Sequence, residues 1–256
     1  KALSVKADSY HFHDPELLFI GMLLKLAGKK VIYDVHENVP LQIATKPYLN
    51  PSVGSLLSRV MKFIEERGVN LFDAAIAAYP SIKKRFPEKY HHKIHVVGNY
   101  VDADDIKPSP FSDKLNAICY TGAISCNKGI DILVKSLEGT SITMNLAGKF
   151  SSEQEKHHVE RLKGWENVRY YGLVSREEVK QIYARSSIGM LILRPWKAYQ
   201  DAMPNKLFEY MAAGLPVIAS NFNSWRAIVD DNQCGICVDP LDPEEIRNAM
   251  KKLSEN

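Results

Sequence analysis

Cysteine is scarce, with four residues in 256. That is too few for a disulfide scaffold in a chain of this length, so reduced thiols and a cytoplasmic setting are expected. No apolar run approaches the roughly 20 residues of a membrane span. The excess of one charge over the other is small: 33 Lys and Arg against 30 Asp and Glu leave +3. This mild basic bias does not argue for nucleic acid, and suits a phosphate-bearing ligand or an anionic membrane surface. The dinucleotide fingerprint Gly-x-Gly-x-x-Gly is missing, as is the nucleophile elbow Gly-x-Ser-x-Gly. The nearest approach to a P-loop, "GAISCNKG" (122–129), lacks the second glycine before its lysine and the hydroxyl residue after it. "HENVP" (36–40) starts like a zinc-protease helix but has Pro40 where the second histidine belongs. The opening "KALSVKADSYHFHD" has no Met and no signal peptide, and reads like the middle of a longer protein.

What is present is ordinary for a globular α/β protein: 45% hydrophobic and 25% charged residues. Short apolar runs alternate with helical patterns. Strands are expected at "VIYDV" (31–35), "AAIAAY" (74–79), "KIHVVG" (93–98), "AICYTG" (117–122), "SITMNLAG" (141–148), "VRYYG" (168–172), "IGMLIL" (188–193), "PVIAS" (216–220) and "GICVD" (235–239). Several lack alternation, as parallel strands buried on both faces do. "PELLFIGMLLKLAG" reads as a helix capped by Gly28, "SREEVKQIYARSS" opens with a Ser175–Glu178 capping box, and "DPEEIRNAMKKLSEN" has acids in front and lysines behind. Alternation of this kind implies βα units. The polar, proline-bearing "VDADDIKPSPFSDK" (101–114) marks a boundary. Two Rossmann-like domains are expected, residues 1–104, incomplete in this chain, and residues 105–256, a full doubly wound domain.

Two stretches carry chemistry. "YTGAISCNKGIDILVKSL" (120–137) follows a buried strand and opens a helix. Gly122 permits a tight turn, and Lys128 beside a helix N-terminus suits phosphate. A plain βα turn with a solvated lysine fits equally. "DAMPNKLFEYMAAGLPVIAS" (201–220) announces a helix with Pro204 in its first turn. Its free N–H groups around Met203 to Lys206 form an anion pocket. Asn205 and Glu209 share a face one turn apart. A carboxylate there repels phosphate but accepts hydrogen bonds from two neighbouring hydroxyls, as on a ribose. A surface ion pair of Glu209 with Lys206 is the alternative.

Asp201 and Glu209, followed by "YMAAGLPVIAS", resemble the Glu-x7-Glu signature of retaining glycosyltransferases of family four, which have the GT-B fold. "GAISCNKGIDILVKSL" resembles that family's glycine loop, "VRYYGLVSREEVKQIYARSSIGMLIL" its middle βαβ unit and "CGICVDPLDPEEIRNAM" its closing segment. "FHDPELL", "VIYDVHE", "FDAAIAAYPSIKKRF" and "IHVVGNYVD" resemble the second half of its N-terminal domain, so the resemblance covers nearly the whole chain. It implies two Rossmann-like domains facing a cleft, and transfer of a sugar from a nucleotide-diphosphate donor to a hydroxyl acceptor with retention. No metal and no further cofactor are implied. Glu209 would hold the donor ribose, Asp201 the transferred sugar, and Lys128 with the backbone of Met203, Pro204 and Asn205 the diphosphate. Gly122, Gly148 and Lys206 complete the donor side, and His36 in "DVHE" faces the reacting sugar. Read without the family, His36 is a polar residue at a strand end. Asp201 is one methylene shorter than the usual glutamate. Ala123 stands where many members have a phosphate-binding arginine, for which Arg194 is the candidate substitute.

The implied partners are a nucleotide-sugar donor and a saccharide or lipid-linked acceptor, with peripheral association at the inner membrane face left open and no nucleic acid. A GT-B nucleotide-sugar epimerase and a non-catalytic nucleotide-sugar-binding subunit are the alternatives. Elsewhere, Cys234-x-x-Cys237 is a single pair expected in a hairpin, a poor zinc site. The pairs His91–His92 and His157–His158 are expected in solvent. The stripe Leu56, Leu57, Val60, Met61 and Ile64 is expected to pack into the core, with lipid contact as the alternative. Trp196 and Tyr199 either line the sugar pocket or anchor the loop.

Overall fold

The computed structural model describes residues 4–46, 49–98, 100–102, 104–110, 116–200 and 202–255. Contacts divide the chain into two units, Lys1–Asn99 and Tyr100–Asn256. Each is a parallel sheet clothed by helices, the arrangement that short apolar strands alternating with capped helices dictate.

In the first unit, β1 (Ser9–Phe12), β2 (Lys30–Val35), β3 (Ala74–Ala77) and β4 (Ile94–Val96) pair in that order, all parallel. The helices α1 (Leu18–Leu26), α2 (Val39–Ala44), α3 (Pro51–Leu71) and α4 (Pro80–Lys84) connect them. β1 is a strand the sequence reading lacks, because "SYHF" has only one buried residue in four positions, with an exposed serine and histidine among the rest. Phe12 stacks on Tyr33 at 5.0 Å and meets Phe72 edge-on at 5.6 Å. The fully buried Glu65 of α3 accepts two bonds from Arg85, of 2.7 and 2.8 Å, and a third of 3.1 Å from the Tyr33 hydroxyl. The stripe on α3 divides: Met61 and Ile64 pack against the core, whereas Leu56, Leu57 and Val60 are 57%, 44% and 47% exposed. The expectation of full core packing is therefore corrected; Gly54, Glu65, Gly68 and Val69 make the buried face instead.

In the second unit the strands are β5 (Ala117–Thr121), β6 (Thr143–Ala147), β7 (Val168–Gly172), β8 (Ile188–Leu191), β9 (Val217–Ser220) and β10 (Gly235–Val238). They pair in parallel in the order β10-β9-β8-β5-β6-β7. The order reverses between β8 and β5, which opens a crevice at the C-terminal ends of the central strands. The connecting helices are α5 (Ile130–Ser136), α6 (Glu153–Glu160), α7 (Arg176–Ala184), the short α8 (Lys197–Gln200), α9 (Asn205–Ala212), α10 (Asn223–Asp231) and α11 (Pro243–Ser254). β5, β8 and β9 are buried at every position, and successive residues feed opposite faces: Ile118 and Tyr120 join one cluster with α5 and α11, Cys119 the other with α7, α9 and α10. The Ser175–Glu178 capping box forms as expected. Cys234 and Cys237 are not in a hairpin, because α10 carries the chain across and β10 joins β9 in parallel. His91 is half-buried, with its ring Nε2 2.9 Å from Phe86 O, rather than solvated.

Candidate functional site: a cationic cleft at the switch point

The C-terminal ends of β5 and β6 are brought together by two glycines. Gly122 follows β5 with φ +130°, and Gly148 follows β6 with φ +141°. Both values lie where only glycine is unstrained. A Cβ on Gly148 would land on the Gly122 carbonyl, and one on Gly122 would lie 2.8 Å from Lys206 Cε. The close approach leaves a cleft of about 650 Å³ lined by Gly122, Gly148, Lys206, Glu209, Arg176 and Ser151 among others.

Glu209 enters this cleft from α9 with a side chain 14% exposed. Its Oε1 accepts a 2.7 Å bond from Arg176, and its Oε2 accepts a 2.8 Å bond from the Tyr183 hydroxyl. These bonds, rather than a salt bridge to Lys206, partner the carboxylate. Tyr183 spends its one proton on Glu209, so Thr121 Oγ1, 2.8 Å away, donates to Tyr183. Burial, and then the Glu209 charge, raise the Tyr183 pKa far above that of a free phenol, so it stays a donor. Arg176 also donates to Asp105 at 3.0 and 3.1 Å. Lys180 and then Arg176 hold the Asp105 carboxyl below the usual range. Each Glu209 oxygen has two acceptor sites, so one on each remains for a ligand hydroxyl.

Lys206 runs under Gly122, where burial, first, lowers its pKa, and the neighbouring Lys128 and Arg176 charges add to the effect. Lys128 ends the 3-10 turn Cys126–Lys128, and its Nζ sits 4.8 Å from the centre of the Tyr199 ring. Tyr199 is stacked on Trp196 at 5.8 Å with planes 4° apart. Arg194 reaches the same loop, donating to Cys126 O at 2.8 Å and to the buried Asp131 at 2.7 Å. Its charge is thus engaged by Asp131. Pro204 is the N-cap of α9, Asn205 is its exposed first residue and Met203 packs on the core beneath. Trp225 Nε1 anchors the preceding chain by a 2.7 Å bond to Ala202 O. Asp201 lies outside the described residues.

Of the residues expected on the donor side, Gly122, Gly148, Lys206 and Glu209 line the cleft; Lys128 lies in the turn after β5, which Arg194 holds through Cys126 O, and Met203, Pro204 and Asn205 lead into and open α9. Arg176, Tyr183 and Thr121 escaped the sequence reading. The available signal was positional: Arg176 directly follows the Ser175 cap at the C-terminal end of β7, the sheet edge on which such sites form. His36 stands in the first unit just past the C-terminal end of β2, 3.2 Å from Asp34 Oδ2 and 3.0 Å from His13.

A switch-point cleft lined by cations, with an anchored carboxylate on a helix that opens there, defines a nucleotide-binding α/β protein. The family models sharpen this: residues 115–256 match "Glycosyl transferases group 1" and residues 1–105 match "Glycosyltransferase Family 4". The chain belongs to the family 4 glycosyltransferases and has their GT-B fold. It is 23% identical over 270 residues to D-rhamnosyltransferase WbpZ of Pseudomonas aeruginosa, covering 100% of this chain and 66% of that protein. Among solved structures, Anabaena HepE in complex with UDP superposes with a TM-score of 0.76 at 18% identity, over 99% of this chain and 71% of that one. Sucrose-phosphate synthase from Thermosynechococcus elongatus superposes with a TM-score of 0.74 at 16% identity, over 100% of this chain and 67% of that one. The chain therefore spans about two thirds of the length of these relatives.

Proposed function

We propose that the second unit binds a nucleotide-diphosphate sugar and that the protein is a retaining, metal-independent hexosyltransferase acting on a saccharide or lipid-linked acceptor in polysaccharide or glycolipid synthesis. The observation that carries this is Glu209, held by Arg176 and Tyr183 at the mouth of a cleft whose other charges are positive. Glu209 accepts the ribose hydroxyls. Lys206, Lys128 and the opening N–H groups of α9 take the diphosphate, whose growing negative charge in the transition state they stabilise without reorganising. Arg194 holds the loop that carries Lys128 through Cys126 O and Asp131. Asp201 and His36 are assigned to the transferred sugar. The leaving phosphate takes the acceptor proton on the face it departs from, so no carboxylate nucleophile is required. The UDP-bound HepE structure supports a uridine donor, and a rhamnosyltransferase relative supports a deoxyhexose.

Calorimetric titration with UDP and GDP, then with their sugars, tests the reading. One of the two nucleotides should bind. Glu209→Ala removes an acceptor that hydrogen-bonds through its charge, a loss of about 1.5–3 kcal/mol, so affinity should fall about 10- to 100-fold. Failure of both nucleotides to bind, or an unchanged Glu209→Ala affinity, sinks the proposal. Turnover then separates the classes: transfer or donor hydrolysis fits the transferase, interconversion an epimerase, and binding alone a subunit.

A further inference from the structure

The first unit has a second constellation that the donor cleft does not use. Side chains alternate along a strand with period two. In β1, Phe12 faces the core while His11 and His13 flank it on the opposite face; in β2, Tyr33 and Val35 face the core while Asp34 and the following His36 turn the other way. β1 and β2 are adjacent and parallel, with His11 opposite Ile32. Two H-x-H and D-x-H patterns therefore meet on one sheet face.

The Asp34 carboxylate, 11% exposed, is the centre. Its Oδ2 lies 3.4 Å from His11 Nε2, 3.2 Å from His13 Nδ1 and 3.2 Å from His36 Nε2. His13 Nδ1 and His36 Nε2 are 3.0 Å apart. Hydrogen bonding alone satisfies this poorly. If both histidines donate to Asp34, their two N–H groups point at one another; if one accepts from the other, it loses its bond to Asp34. A cation that takes the lone pairs of His13 and Asp34 removes the conflict, because His36 is then free to donate to Asp34. Ligands at about 2.0–2.1 Å from a tetrahedral ion stand about 3.3 Å from each other, as the Asp34 oxygen stands from His11 and His13. The candidate atoms of His11, His13 and Asp34 all lie within 4.8 Å of one another. All three imidazoles are exposed, so a hydrated ion can reach them.

We propose that His11, His13 and Asp34 form a binding site for a divalent transition-metal ion of zinc type, with the fourth position left to water. Two imidazole nitrogens and one carboxylate suit such an ion better than calcium or magnesium, which prefer oxygen. A second group, Cys126, Asp131 and His158, lies in the other unit. It is the weaker candidate, because Asp131 is already paired with Arg194 and burial, with the Asp131 and Glu155 charges, pushes the Cys126 thiol up to about 11. The site borders a residue of the proposed function: His36 Nε2 lies 3.0 Å from His13 Nδ1, so a bound ion fixes the hydrogen bonding of the histidine assigned to the sugar.

Cobalt(II) titration of the whole chain tests this. The expected result is one ion per chain, with the intense visible bands of tetrahedral nitrogen and oxygen ligation, displaced by zinc. His13→Gln and Asp34→Asn should abolish the bands, and zinc should raise the melting temperature of the parent chain but of neither variant. His11→Gln, at an exposed position, guards against misfolding and should weaken binding at least tenfold. Cys126→Ser should change nothing. No cobalt binding, or binding and bands that survive in His13→Gln and His11→Gln, overturns the proposal. A sulfur-to-cobalt charge-transfer band lost in Cys126→Ser would move the site to the other unit and overturn it equally.

Discussion

Lys206 shows how burial and ligand act on one side chain. Taking its ammonium out of water lowers the pKa, and Lys128 and Arg176 nearby add to that. A diphosphate brings negative charge beside it and raises the pKa in the complex. The complex thus holds the proton more tightly than the free protein. Affinity for UDP should be full at pH values below the lowered Lys206 pKa. It should fall as pH rises through that value towards the higher pKa of the complex, with proton uptake on binding in this window. Calorimetry in two buffers of different ionisation heat measures that uptake. Lys206→Met should abolish it; uptake that persists in the variant would assign the proton to another group. Glu209 illustrates the complementary case. Its neighbours Arg176 and Tyr183 give it two fixed donors, which aim the remaining acceptor sites.

At the scale of elements, α3 and the loop after α4 are joined by the buried Glu65–Arg85 pair, closed by Tyr33. Burial, first, and then the Glu65 charge raise the Tyr33 pKa far above that of a free phenol, so its hydroxyl is a permanent donor. Removing one partner of such a pair leaves an uncompensated buried charge. Arg85→Ala should therefore destabilise the first unit by about 3–5 kcal/mol, read as a lower denaturation midpoint. Replacing both residues by apolar ones should recover much of the loss; a single variant as stable as the parent would refute the assignment. The donor cleft depends on elements in another way. Gly122 and Gly148 let β5 and β6 end in contact, and α9 then lays Lys206 beneath that contact.

At the scale of the molecule, none of the described helices is long and apolar enough to cross a membrane. The first unit nevertheless exposes Leu56, Leu57, Val60 and Phe63 along α3, with Arg59 and Lys62 on the same helix and Arg67 lying 4.9 Å over the Phe63 ring. Apolar side chains among basic ones are suited to an anionic lipid surface. Peripheral membrane association, left open by the sequence, predicts cosedimentation with anionic vesicles, less with neutral ones, and release by salt. Val60→Glu with Phe63→Glu should lower the bound fraction severalfold. Equal binding of the double variant would exclude this surface.

By itself, the sequence determined the α/β class, nine of the strands, the capping box at Ser175 and the helix that presents Glu209. These are local: they follow from periodicity, caps and glycine placement within a dozen residues. Gly122 stands out by its place after a buried strand, whereas Gly148 and Lys206 are marked only through the resemblance to the family. Only the tertiary structure decided what those residues touch. Arg176 and Tyr183 come to Glu209 from 33 and 26 residues away, and Arg194 comes to Asp131 from 63. It also decided that Leu56, Val60 and Phe63 face outward, since a helix's pattern shows that it has an apolar face but not whether a neighbour covers it. His11 in β1 and His13 just after it are hidden in the sequence for the same reason. A strand with polar alternation looks like a loop until its neighbour brings Asp34 and His36 beside it, because a convergence of side chains is a property of pairing between strands, not of either strand alone.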